Sequence, residues 1–184
     1  PIGFHQTYIK EAPMRQDRQV RRESADRTDA LVERVTNPDY MTDGLSQPDT
    51  AKVIGLARQL GVDPYLAASI LAIESDFGRN PATNTVTLRS GAKVTITGSM
   101  QVSNKTFDYM KEWFTNANNI SKYNISPEIQ AVARGLQANS ADSQMAAGVL
   151  YLKYGQLIGV PKELIAAGYQ GGMEGVLKRN APSN

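Results

Sequence analysis

Cysteine is absent from this 184-residue chain, which excludes a disulfide framework, a thiolate nucleophile and any Cys-held zinc or iron–sulfur site. Histidine is nearly absent: His5 stands alone, so neither a His-based triad nor a multi-His metal site is expected. A strong charge of one sign is missing too. Lys and Arg number 20 against 18 Asp and Glu, a formal charge of +2, which is not the basic signature of a nucleic-acid binder. Long apolar runs are lacking. The longest lies near 65–73 and ends in a carboxylate, well short of the roughly 18 residues a membrane span needs. No secretory signal is visible, and a chain that starts at Pro1 is read as a processed product or a piece of something longer.

What the chain does contain is enough apolar material for a folded globule, at 41% of its residues. That material is unevenly spread. Residues 1–46 are polar, and from Lys10 to Arg34 acidic and basic side chains recur at spacings of three and four, which predicts an exposed helical arm laced by ion pairs. Such an arm serves as a solvated linker or as a docking element for a larger assembly, and catalysis is expected not to need it. Asn37-Pro38-Asp39 and Thr42-Asp43-Gly44 are turn chemistry expected to end it. Residues 47–184 form the second unit.

That unit reads as helices with one β interruption. Pro48-Asp49-Thr50 opens a helix that Gly61 stops. Asp63-Pro64 pairs an N-cap with proline at the first helical position. The helix so started is apolar on nearly every face (Leu66, Ala67, Ala68, Ile70, Leu71, Ala72, Ile73) and is expected at the centre of the protein. Thr85–Arg89 and Lys93–Thr97 then alternate with period two around Ser90-Gly91-Ala92, a β-hairpin pattern. Helical patterning resumes after Ser103, restarts at Ser126-Pro127, covers about 142–154, and returns at Pro161 to end near Gly168. The fold class is mainly α, of the α+β kind: a helical domain with one small hairpin after the Glu74 helix, plus the charged arm.

Glu74 is the chemical anomaly. A carboxylate at a helix C-terminus faces an unfavourable dipole. If Ile70, Ile73 and Phe77 also wall it in, desolvation disfavours its charged form. Both effects favour a protonated acid near neutral pH, which protonation of a leaving-group oxygen requires. Taken alone, a glutamate at a helix end is ordinarily exposed and inert. Its company changes that. Ile73-Glu74-Ser75-Asp76-Phe77, Gly98-Ser99-Met100-Gln101-Val102, Gln144 through Leu152, and Ala167-Gly168-Tyr169-Gln170-Gly171-Gly172 follow one another over roughly 50–172.

In that order these segments resemble the motifs of lytic transglycosylases with a lysozyme-like domain of the soluble lytic transglycosylase type. The family patterns are Glu-Ser-x-aromatic, Gly-Leu-Met-Gln, Asn-Ile-x-x-Gly-x-x-Tyr-Leu and Ala-Tyr-Asn-x-Gly. The chain departs from them at Ser99, at Gln144, at the inserted Gly168 and at Gln170. The resemblance implies a lysozyme-like fold and cleavage of the β-1,4 bond between N-acetylmuramic acid and N-acetylglucosamine. Glu74 would be the single catalytic acid and base. Ser75, Gln101, Tyr169, Met100 and Gln170 would form the substrate-binding set, with Met100 packing beneath the site. It implies no metal and no cofactor, and peptidoglycan strands as the partner. The expected place of action is the periplasm or cell wall, and the charged arm suits a phage virion part.

Hydrolytic glycosidases usually need a second carboxylate. From Phe77 through Phe107 there is no Asp or Glu, and the hairpin carries only Arg89 and Lys93 as charges. Asp76 is the nearest candidate, but two positions along a helix point it to a different side. This favours the transglycosylase scheme, in which the muramyl C6 hydroxyl attacks C1 and closes a 1,6-anhydro ring. The readings left open are a goose-type-like lysozyme, a non-catalytic peptidoglycan-binding or virion assembly module, and a helical nucleic-acid module.

Overall fold

A computed structural model describes residues 38–180, and the statements below concern those residues. They form nine α-helices and one small antiparallel sheet, a mainly helical α+β architecture. The order is α1 (Pro38–Leu45), α2 (Pro48–Leu60), α3 (Pro64–Ser75), β1 (Asn84–Thr87), β2 (Lys93–Thr97), β3 (Val102–Ser103), α4 (Asn104–Trp113), α5 (Ala117–Tyr123), α6 (Pro127–Arg134), α7 (Ala141–Ile158), a 3-10 turn (Lys162–Leu164), α8 (Ile165–Gly171) and α9 (Met173–Arg179). No described helix is long and apolar enough to cross a membrane.

The helix boundaries follow local chemistry. Gly61 ends α2 at φ 71°, a left-handed conformation in which a Cβ is costly. The Asp63 carboxylate accepts the Tyr65 N–H at 2.9 Å and caps α3. Ser103 and Ser126 cap α4 and α6 in the same way, each bond stabilising its helix by about 1 kcal/mol.

Two expectations are corrected. The first concerns residues 38–45, in which Pro38-Asp39 and Thr42-Asp43-Gly44 are read as turn chemistry ending an arm. They form α1, and α1 belongs to the body: Tyr40 and Met41 pack on the core, Gly44 lies directly against the Phe77 ring, and the buried Thr50 hydroxyl donates to the Gly44 carbonyl at 2.7 Å. Turn-forming residues are also good helix starters, and Asp39 in the first turn complements the dipole. The rest of the proposed arm, including His5 and the Lys10–Arg34 run, lies outside the described residues. The second correction concerns the central element. That element is α7, buried from Met145 through Leu152 and again at Tyr154 and Gly155, and touching α2, α4, α6, α8 and β3. As expected, α3 is buried at Ala67, Ala68, Ile70, Leu71 and Ala72, but it packs mainly on α2 and leaves Tyr65 85% exposed.

The hairpin pairs Asn84 with Ile96 and Val86 with Val94, and gains a short third strand through Ile96 and Ser103. Val86, Leu88 and Val94 make a separate small core beneath it. Tyr109, Trp113 and Phe114 are buried in the main core. α8 brings Gln170 to the end of α3, where Glu74 sits, and Ile96, Val102 and Ser103 of the sheet line a recess beside Gln170.

Candidate functional site

Glu74 occupies the last turn of α3 and is half-buried. Beyond it the chain passes through three left-handed residues, Asp76 (φ 53°), Phe77 (φ 60°) and Gly78 (φ 83°). Such a run is rare for a bulky residue such as Phe77 and persists only when its surroundings hold it. Several bonds do so. The Asp76 N–H donates to the Ala72 carbonyl at 2.9 Å, and the Asn80 N–H to the Ser75 carbonyl at 2.9 Å. Ser75 is 3% exposed; its hydroxyl donates to the Leu71 carbonyl at 3.2 Å and accepts the Gly78 N–H at 2.9 Å. Ser75, expected to contact substrate, is instead occupied with the backbone of this loop.

Asp76 turns away from Glu74. Its carboxylate accepts from the Tyr40 hydroxyl and, at 3.0 Å, from Arg79 Nη1. Arg79 also pairs with Asp43 and lies over the Tyr40 and Phe77 rings at 5.5 and 5.9 Å. The second acid raised by sequence is therefore engaged in joining α1 to the loop.

A tertiary partner of Glu74 comes from α8, nearly a hundred residues later. Gln170 Nε2 donates to Glu74 Oε1. Gln170, expected to bind substrate, is thus a direct neighbour of the candidate acid. The preceding Tyr169 is buried, and its hydroxyl donates to the Met100 carbonyl at 2.5 Å. Burial holds this phenol well above its ordinary pKa, and the nearby Glu74 carboxylate and Tyr151 act in the same direction. Tyr169 is therefore a neutral hydrogen-bond donor at physiological pH. Met100 is fully buried and packs under the site. Gln101 is left-handed (φ 52°), and its amide donates to the Ala82 and Gly98 carbonyls, the latter at 2.9 Å. It closes its own loop and lines a cavity of about 40 Å³ beside Tyr169, Gln170, Ser103 and Thr106.

Three of the four motif segments therefore converge directly: Glu74 meets Gln170, and Tyr169 meets Met100. The fourth lies beneath them. A Cβ added to Gly148 of α7 would fall 2.6 Å from Met100 Cβ and 2.9 Å from the Tyr169 hydroxyl oxygen, so glycine is what permits this approach. Gly148 was not among the expected site residues, although the segment from Gln144 to Leu152 contained it. The departures also acquire physical roles. Gly168 makes room for the Met173 side chain. Ser99 donates to Asp49 Oδ2 at 2.5 Å. Gln144 lies against Gly98, with its Oε1 buried and unpartnered among the described residues. Asp49 is a contributor that sequence reading treated only as part of a helix start.

Among the described residues no three His, Cys, Asp or Glu side chains are grouped as ligands for a metal ion. Larger hollows exist elsewhere, one of about 490 Å³ between α2, α6 and α7 and one of about 310 Å³ near Asp63 and Lys162, but neither includes Glu74. What the Glu74 region offers chemically is a half-buried carboxyl group oriented by an amide, a neutral phenol beside it, and a small polar recess. No family model, curated protein or solved structure matches the chain.

Proposed function

We propose that the protein is a peptidoglycan lytic transglycosylase with a lysozyme-like catalytic domain. The observation that carries this reading is the meeting of Glu74 with Gln170, next to the buried Tyr169–Met100 bond. These residues come from separate segments that resemble the family motifs. Glu74, as the acid, protonates the β-1,4 oxygen between N-acetylmuramic acid and N-acetylglucosamine. As carboxylate, it then takes the proton from the muramyl C6 hydroxyl while that oxygen attacks C1. The products carry a 1,6-anhydromuramyl end, and no water is consumed. An intramolecular nucleophile replaces water activation by positioning, which accounts for a site built on one carboxylate. Gln170 orients Glu74 and supports the anion left by the first proton transfer. The peptidoglycan strand is the partner, the cell wall is the place of action, and a virion is the assembly that a charged N-terminal segment suits.

The test is mass spectrometry of soluble products from purified peptidoglycan, with Glu74→Gln as the blank. Anhydromuramyl products from the wild type and none from the variant are expected. Hydrated reducing ends would make the protein a lysozyme. Absence of products from both, on several peptidoglycans, would favour a binding or assembly module.

A further inference from the structure

We infer that Asp49 is a positioning residue that locks together the two loops framing the Glu74 region. The catalytic part of this inference rests on the proposed function; the structural part does not. Asp49 lies in the first turn of α2, where an acid is ordinarily explained by the helix dipole. Its side chain does more. Oδ2 accepts the Ser99 hydroxyl at 2.5 Å, across fifty positions of sequence. The same carboxylate lies against Gly78, where the three nearest atoms a Cβ would meet all belong to Asp49. One carboxylate therefore touches the loop that ends α3 and the loop that follows β2.

Both loops hold left-handed residues, Asp76, Phe77 and Gly78 in one, Gly98 and Gln101 in the other. For Asp76, Phe77 and Gln101, which carry side chains, that conformation needs external support. From Asp49 the contacts run round a closed circuit. On one side they pass through Gly78, whose N–H donates to the Ser75 hydroxyl at 2.9 Å, to the neighbouring Glu74. On the other they pass through Ser99 to Met100, whose carbonyl holds Tyr169 at 2.5 Å, and on to Gln170, which donates back to Glu74. Displacing Asp49 opens the circuit opposite the candidate acid. On the other flank of the Ser99 loop, Gln144 touches Gly98, but its buried Oε1 makes no hydrogen bond among the described residues. The hydroxyl of Ser99 is thus tied through Asp49. The family pattern has an apolar residue at Ser99, so this tie is a feature of this chain's own sequence.

The test uses the full chain with Asp49→Ala, Asp49→Asn, Ser99→Ala and the Asp49→Ala/Ser99→Ala double variant. In amide hydrogen exchange, Asp49→Ala and Ser99→Ala should each accelerate exchange about tenfold in both 76–80 and 98–102, while α4 and α6 stay at wild-type rates. On peptidoglycan, Asp49→Ala should lower kcat by about ten- to a hundredfold with little change in KM, the signature of misplacement rather than lost binding. Asp49→Asn keeps an acceptor and the shape, and should recover most of the turnover. The double variant should lose no more than Asp49→Ala alone. Faster exchange in one loop only, a uniform rise across the protein, or multiplying kcat losses would each overturn the inference. If the wild type yields no product, the functional reading fails while the exchange arm still judges the lock. If the wild type is active and Asp49→Ala exchanges normally, the lock fails and the functional reading stands.

Discussion

Replacing Gly148 by alanine tests the packing beneath the candidate site, because two effects of opposite sign meet there. Gly148 is interior to α7, and alanine in a helix interior is favoured over glycine by about 0.8–1 kcal/mol. Against that, the new methyl would lie 2.6 Å from Met100 Cβ, 3.0 Å from Met100 Cγ and 2.9 Å from the Tyr169 hydroxyl oxygen. Carbon atoms in contact prefer about 3.5–4.0 Å. Neither neighbour has room to retreat, since Met100 is fully buried and Tyr169 is 8% exposed. Overpacking of this kind costs about 1–3 kcal/mol. Moving either neighbour also weakens the Tyr169–Met100 hydrogen bond, a net loss of about 0.5–1.5 kcal/mol. Packing wins, and the variant should be destabilised by about 1–3 kcal/mol. Gly55 of α2 supplies the control: a Cβ there meets nothing within 4 Å, so Gly55→Ala should stabilise by up to about 1 kcal/mol. The assay is denaturant unfolding followed by the fluorescence of Trp113, the only tryptophan, which packs edge-on to Phe114 and Tyr154. The midpoints should move in opposite directions at constant slope. A stabilised Gly148→Ala would refute the close approach of α7, Met100 and Tyr169.

Two further predictions concern the N-terminus and the alkaline limit. Removal of residues 1–37 should preserve turnover, whereas removal of 1–46 should destabilise the protein by about 3–6 kcal/mol, because the buried Thr50 hydroxyl loses the Gly44 carbonyl and the covered Phe77 ring is exposed. Equal thermal midpoints for the two truncations would contradict the assignment of α1 to the body. Tyr169 and Tyr109 both have phenol pKa values raised chiefly by burial. The unfolded chain therefore releases these protons first as pH rises above about 10, and each contributes stability that is full below that pH and falls by about 1.4 kcal/mol per unit above it until the folded group ionises. Stability measured from pH 8 to 11 should decline past 10, and the Tyr109→Phe variant should decline less steeply; identical slopes would remove Tyr109 from this account.

The chain's own letters determined where helices start and stop. Gly61, Asp63-Pro64, Ser103 and Ser126-Pro127 act on backbone groups within a few residues of themselves, so their effect can be read without knowing the rest of the molecule. The same holds for the period-two run that became β1 and β2, and for Glu74 at the end of an apolar helix. Tertiary structure decided the remainder. Residues 38–45 carry turn-forming letters, and their helical state is settled by what Tyr40, Met41 and Gly44 pack against. Apolar letters all round a helix fit both α3 and α7, and only the arrangement of neighbours placed α7 at the centre. Ser75 and Gln101 are polar residues whose hydrogen-bonding groups could face a ligand or the backbone; the left-handed loops around them direct both to the backbone. The pairings Glu74 with Gln170 and Asp49 with Ser99 span 96 and 50 positions, and no local signal encodes them. Short-range chemistry fixes the elements, while the partners of a carboxylate depend on which distant segments the core brings to it.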